Sequence, residues 1–274
     1  MTDRQLSENA PKFHPKKSLG QNFLTSPIVP GWLCEAATLQ AGDAVLEIGP
    51  GTGVLTRELL KRGGVVTAVE TDSRAILSLK ATFTKELRSG QLKLISADIK
   101  DFAPEQADLK EHSYKLVANI PYYLSGWLLR TYLSGPCQPS TLVFLLQKEL
   151  VERIVRDPKS SLLSLSVKAY GSVKYVRTVS RGHFNPSPQV DSAILAVTNI
   201  NRDHFKAIKE TDFFHLLHLG LGRKRKQLMS NLGSEFKRAD LEQVFNDLGF
   251  VHTIRGEDLA LADWLRLVTA LRQT

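Results

Sequence analysis

The chain has 274 residues, 42% hydrophobic and 23% charged, and 36 Lys+Arg against 28 Asp+Glu leave a formal net charge of +8. That balance excludes a disordered chain, and the absence of any apolar run near the roughly 18 residues of a membrane helix, with no apolar signal region in Met1 to Gln21, predicts neither membrane spanning nor secretion. Cys34 and Cys137 stand alone without CxxC spacing, which argues against a disulfide framework or a zinc site and for a reducing cytoplasm. The positive surplus suits a polyanion partner such as nucleic acid without requiring one.

Short β-branched or apolar runs recur along the chain at Ala44 to Ile48, Val65 to Glu70, Leu92 to Ala97, Tyr114 to Asn119 and Thr141 to Gln147, with helical spacing between them. This alternation predicts a parallel α/β sheet. Thr52 is expected to cap a helix carrying Val54, Leu55, Leu59 and Leu60, and Asp72 one carrying Ala75, Ile76, Leu79 and Phe83. Helices are then predicted over Lys148 to Arg156 and Ser160 to Tyr170, followed by strands at Val173 to Val179 and Ala193 to Thr198 around a Pro-punctuated loop. The total is seven strands. From Asp203 the pattern is helical alone, so the expected organisation is an α/β domain over residues 1–200, with 1–15 flexible, and a small all-helical domain over 201–274.

The first strand runs into Gly49-Pro50-Gly51-Thr52-Gly53, where backbone can approach a ligand at the carboxyl end of the sheet. The dinucleotide fingerprint G-x-G-x-x-G would need glycine at Val54, so NAD is the weaker of two cofactor readings. Glu70 closes the second strand and Asp98 follows the third, placing carboxylates for ribose hydroxyls and an adenine amino group, although either could instead cap the next helix. Together with Glu47, this is the pattern of class I, Rossmann-like methyltransferases that bind S-adenosylmethionine. The fourth strand ends in Asn119-Ile120-Pro121-Tyr122-Tyr123, which resembles the N/D-P-P-Y type motif of amino-group methyltransferases. A purine amine is a weak nucleophile because its lone pair is delocalised into the ring. An Asn oxygen and a backbone carbonyl beside Pro121 can accept both N–H bonds and free that pair, while Tyr122 offers a ring for stacking. The same pentapeptide also suits a proline-stopped strand with buried tyrosines.

Lys16 to Leu24, the Glu47 to Thr56 loop, Asn119 to Tyr122, Leu146 to Glu149 and Phe184 to Ser192 occur in the order found in the ribosomal-RNA adenine dimethyltransferases, and the chain resembles the bacterial small-subunit members most. The resemblance implies a seven-stranded methyltransferase domain and a helical domain, converting two adjacent adenosines near the 3′ end of 16S rRNA to N6,N6-dimethyladenosine within an immature 30S subunit. S-adenosylmethionine would be the donor, with no metal, in a cytoplasmic and monomeric enzyme. It further implies cofactor contacts from Asn22, Leu24, Gly49, Gly51, Glu70, Asp98 and Asn119. The acceptor pocket would comprise Asn119, Ile120, Pro121 and Tyr122, with Phe184 covering the other face of a flipped base. Lys16, Lys17 and the block Arg223, Lys224, Arg225 and Lys226 would contact RNA, a role for which a solvated helix face is the alternative. Two departures stand out: the block replaces the family's usual Arg-Arg-Lys run, and Tyr123 stands where many members have Asn. Two rival functions remain, a large-subunit adenine methyltransferase of the macrolide-resistance type and a non-catalytic RNA-binding assembly factor. His215 and His218, with no Cys or paired acid nearby in sequence, read as core or surface histidines rather than metal ligands.

Overall fold

The computed structural model describes residues 21–223 and 225–272. The expectations for residues 1–15 and for Lys16, Lys17 and Lys224 lie outside these described residues.

Two compact units are formed. In the first, strands β1 (Phe23–Leu24), β2 (Ala44–Ile48), β3 (Val65–Glu70), β4 (Leu92–Ser96), β5 (Tyr114–Asn119), β6 (Thr141–Gln147), β7 (Ser172–Val179), β8 (Phe184–Asn185) and β9 (Ser192–Thr198) alternate with helices α1 (Ile28–Ala36), α2 (Val54–Lys61), α3 (Ser73–Thr82), α4 (Thr84–Ser89) and α5 (Ser125–Ser134). Seven strands make one sheet in the order β4-β3-β2-β5-β6-β9-β7, with β4 to β6 parallel and β9 antiparallel to β6. Every residue of β9 but the last is buried, as are the five central residues of β6, so both faces of the sheet are covered there. The outermost strand β7 is instead half exposed and carries Lys174 and Arg177, a polar edge that discourages pairing with other chains.

The chain runs outward from β2 to β3 and β4, then returns to β5 on the other side of β2. The order therefore reverses at β2, and the crevice beyond the carboxyl ends of β2 and β5 is where an open α/β sheet binds ligands. A separate two-stranded ribbon pairs Phe23 with Asn185 and Leu24 with Phe184. Asp72 caps α3 as expected, its Oδ1 accepting the Arg74 N–H at 3.1 Å. The expected cap of α2 is corrected: Gly53, not Thr52, is the N-cap residue, and no side chain bonds there.

The second unit comprises residues 152–172 as well as 201–274, so a single cut at 200 does not describe the division. Its helices are the end of α6 (Lys148–Val155), then α7 (Leu162–Lys168), α8 (Glu210–Leu221), α9 (Leu228–Leu232), α10 (Arg238–Leu248) and α11 (Leu261–Leu271). The physical reason is burial: Leu165 and Ala169 of the α7 segment pack in one apolar cluster with Phe213, Leu217, Phe245 and Trp264. Backbone bonds Ser160 N–H to Glu257 O (2.7 Å) and Asn201 N–H to Tyr170 O (2.8 Å) tie the segment down.

Candidate active site

The glycine loop joins β2 to α2 with φ of +65°, +53° and +77° at Gly49, Gly51 and Gly53. Each glycine answers a different demand. A Cβ on Gly51 would lie 2.8 Å from the Phe23 ring, so a side chain is excluded by contact as well as by conformation. At Gly53 the neighbours are Leu79 and Phe83 of the α3 region, which fixes the packing of loop on helix. Gly49 has no atom within 4 Å of that position and lines an open cavity.

Two acids line the same cavity. Glu70 is 6% exposed; its Oε1 accepts the Thr71 and Asp72 N–H groups at 2.9 Å each, and its Oε2 accepts the Gly51 N–H at 3.1 Å. Burial pushes its pKa up, and these backbone donors pull it back. Three of a carboxylate's roughly four acceptor sites are thus occupied, so two ribose hydroxyls could both be bound only if one bond, such as that from Gly51, is shared or released. Asp98 lines the cavity while its Oδ1 accepts the Lys100 N–H at 3.0 Å, so the capping role left open by its position is fulfilled by one oxygen. Beneath the loop, Glu47 is 1% exposed; desolvation pushes its carboxyl up to about 8, with Thr56 opposing and Glu70 reinforcing the shift. Asp72 goes the other way, held at about 2 chiefly by the Arg74 guanidinium.

At the end of β5, the Asn119 side-chain Nδ2 donates to the Asn22 carbonyl at 3.1 Å. Only the NH₂ side of an amide can donate to a carbonyl, so this tether fixes which end is which and leaves Oδ1 as an acceptor. The Pro121 carbonyl is taken by the Leu124 N–H at 3.0 Å, whereas the Ile120 carbonyl has no backbone donor among the described residues. Tyr122 is half-buried; its hydroxyl and that of Ser192 lie 2.8 Å apart, and its own carbonyl accepts the Ser125 hydroxyl at 2.8 Å. Phe184 reaches the cavity from β8 and is 6% exposed.

The sequence-predicted residues Asn22, Gly49, Gly51, Glu70, Asp98, Asn119, Ile120, Pro121, Tyr122 and Phe184 all line this one cavity. Leu24 does not: it is buried and borders an adjoining recess with Glu47, Val54 and Leu55. Arg223, Arg225 and Lys226 are exposed in the α8–α9 connection of the helical unit. Sequence reasoning passed over Phe23, Lys100 and Ser192. The demand for glycine at position 51 was a signal for a close neighbour, but nothing in the sequence identified Phe23. His215 does meet an acid, its Nε2 lying 2.6 Å from Glu235, a correction to its reading as unpaired. Among the described residues no group of three or more His, Cys, Asp or Glu side chains is placed to hold a metal ion.

Comparison with known proteins accords with this layout. The family model described as "Ribosomal RNA adenine dimethylase" matches residues 12–273. Ribosomal RNA small subunit methyltransferase A of Dehalococcoides mccartyi (strain ATCC BAA-2100 / JCM 16839 / KCTC 5957 / BAV1) is 38% identical over 255 residues, covering 92% of this chain and 87% of that protein. Among solved structures, a dimethyladenosine transferase from Plasmodium falciparum is 25% identical with a TM-score of 0.76, covering 92% of this chain and 98% of that one. The 23S rRNA methyltransferase ErmE is also 25% identical, with a TM-score of 0.74 and coverage of 92% and 100%. With a switch-point cavity that joins a glycine loop to an Asn-Ile-Pro-Tyr strand end, and a match along nearly its whole length, the chain belongs to the ribosomal RNA adenine dimethylase family.

Proposed function

We propose that this protein uses S-adenosylmethionine to dimethylate N6 of two adjacent adenosines near the 3′ end of 16S rRNA, acting as a monomer on an immature 30S subunit in the cytoplasm. The observation that carries the reading is the Asn119 tether: with Nδ2 held by Asn22, Oδ1 is available as an acceptor in a cavity that also contains Gly49, Glu70 and Asp98. The small-subunit choice rests on the naming of the 38% identical relative, since the two solved relatives are nearly equal in fold similarity.

The residues suit the donor. The open space at Gly49 admits a ligand against backbone, and Glu70 and Asp98 supply acceptors at the ends of successive strands. When bound there, S-adenosylmethionine supplies an electrophilic methyl group on a sulfonium. Asn119 Oδ1 and the Ile120 carbonyl accept the two hydrogens of the adenine amine, which favours a pyramidal nitrogen with its lone pair free to attack. No strong base is needed first, because the N–H becomes acidic once the nitrogen is alkylated. Pro121 removes a competing N–H donor at the strand end, and Tyr122, anchored through Ser192, stacks on one face of the base while Phe184 covers the other. Arg223, Arg225 and Lys226, with Lys16, Lys17 and Lys224, provide phosphate contacts that hold the RNA without choosing the base. The intact acceptor group favours catalysis over the binding-factor reading.

Mass spectrometry of 16S rRNA from cells with and without the protein tests this. The expected result is loss of two N6,N6-dimethyladenosines from the 3′ end without it. Unchanged 16S rRNA with loss of a modified adenosine from 23S rRNA would assign the protein to the large subunit.

A further inference from the structure

The acceptor end of the cavity continues onto an exposed face. Tyr123 lines the cavity and is nonetheless 65% exposed, and Trp127, four residues on, is 36% exposed. Leu124 and Ser125 both have right-handed helical backbone, so the turn Tyr122–Leu124 runs into α5 and helical spacing holds across the junction. Positions 123, 127 and 130 therefore share one face, opposite the buried Ser125, Leu128, Leu129, Tyr132 and Leu133. Among the described residues neither Tyr123 nor Trp127 has a ring or hydrogen-bond partner through its side chain, and the exposed Arg130 has no acidic partner. Two aromatic rings, Tyr123 mostly and Trp127 partly exposed, thus share one face beside the cavity, an arrangement suited to a binding surface.

We propose that Tyr123, Trp127 and Arg130 form a track for the single-stranded RNA flanking the target adenosine. This rests on the reading that the cavity takes a flipped adenine. A base drawn into the cavity strips its neighbour of a stacking partner, and Tyr123 at the rim offers a replacement ring. Trp127 receives the next base, and Arg130 a phosphate. Four residues of helix advance about 6 Å, well beyond the roughly 3.4 Å between stacked bases, so the track suits a splayed strand rather than a duplex. No Asp or Glu occurs in α5, and this mix of rings and a cation is the composition of single-strand binding grooves rather than of a protein-docking face.

The test is fluorescence anisotropy of a labelled single-stranded oligoribonucleotide carrying two adjacent adenosines, with S-adenosylmethionine present. Tyr123→Ser/Trp127→Leu is expected to weaken binding at least about tenfold. Tyr123→Phe, which keeps the ring, and Leu77→Ser, a change at another exposed apolar residue, are expected to bind as the unmodified protein does. Calorimetric binding of S-adenosylmethionine verifies that each variant is folded; if the double variant loses it, the two single variants carry the same comparison. Unchanged oligoribonucleotide affinity overturns the track, and so does an affinity loss confined to whole 30S particles, which would assign the face to a ribosomal protein. Methyl transfer by the unmodified protein to immature 30S particles, measured alongside, separates the two readings: its absence sinks the proposed function, whereas the track stands or falls on the anisotropy.

Discussion

The two ends of the cavity are built on different plans. At the glycine-loop end, the two carboxylates that line the cavity are already held by backbone: Glu70 takes three N–H groups and Asp98 caps a turn with one oxygen, while Phe23 seals Gly51. At the Asn119 end, single tethers hold the side chains, one to Asn22 and one between Tyr122 and Ser192, and Tyr123 stands mostly in solvent. The difference matches two kinds of ligand. A small donor of fixed shape is best met by a preorganised site, whereas a nucleotide arriving on a large RNA needs groups that close on it. Damage at the first end should therefore surface as lost stability and donor affinity, and damage at the second as lost turnover.

The largest expected effect is at the acceptor end. Asn119→Ala removes the amine acceptor and should lower single-turnover methyl transfer by about 10²–10³-fold, with S-adenosylmethionine binding weakened but detectable by calorimetry. Near-normal transfer would break the assignment. At the donor end, Gly51→Ala places a Cβ against Phe23 at positive φ and should cost about 1–3 kcal/mol of stability together with donor affinity, read from denaturant melts and titration.

Glu47 sharpens the comparison by pH. Its carboxyl is held up to about 8 in the folded protein against an ordinary 4.5, so between those values the native state keeps a proton that the unfolded chain has lost. The native state binds more protons in that window, and stability falls as pH rises through it, by up to about 1.4 kcal/mol per pH unit. Below the window this contribution is fully present. Melting temperatures from pH 5 to 8 should decline in the unmodified protein and lose that part of the slope in Glu47→Gln; parallel curves would place the proton elsewhere.

Ser192→Ala removes the partner of the Tyr122 hydroxyl and should cost about 1 kcal/mol, appearing as a several-fold fall in turnover with donor affinity unaltered. An equal loss in both would erase the distinction between the ends. The smallest effect is on RNA grip: neutralising Arg223, Arg225 and Lys226 should reduce the salt slope of 30S binding by about one per lost phosphate contact, with transfer from the bound state retained.

Strands were legible in the sequence because β-branched runs ended at residues that stop them, and β2, β3, β5 and β6 begin and end where the apolar runs do. The cavity was legible because its members sit at the ends of those strands, and the order of a doubly wound sheet gathers strand ends. The two-residue ribbon of Phe23–Leu24 with Phe184–Asn185 was not, since strands that short have no periodicity and their partners lie some 160 positions apart. Leu24, the neighbour of Phe23 in that ribbon, borders an adjoining recess that shares Phe23, Gly49 and Asn119 with the main cavity, a division that the motif alone does not show. The partners of Ser192 and His215 depend on tertiary approach, which single residues do not advertise. The apolar spacing of 162–168 revealed a helix with a face to bury, but not which unit would bury it.

That last feature bears on the order of synthesis. A chain emerging from its amino end presents residues 152–172 long before α8, α10 and α11, yet Leu165 and Ala169 belong to an apolar cluster supplied mostly by residues after 204. The helical unit thus cannot close until the final helix is made, and a product terminated near residue 200 would retain an uncovered apolar segment within its length. The same interleaving means that a fragment ending at 200 and a fragment starting at 201 each lack part of a core, so either would be a marked target for proteolysis.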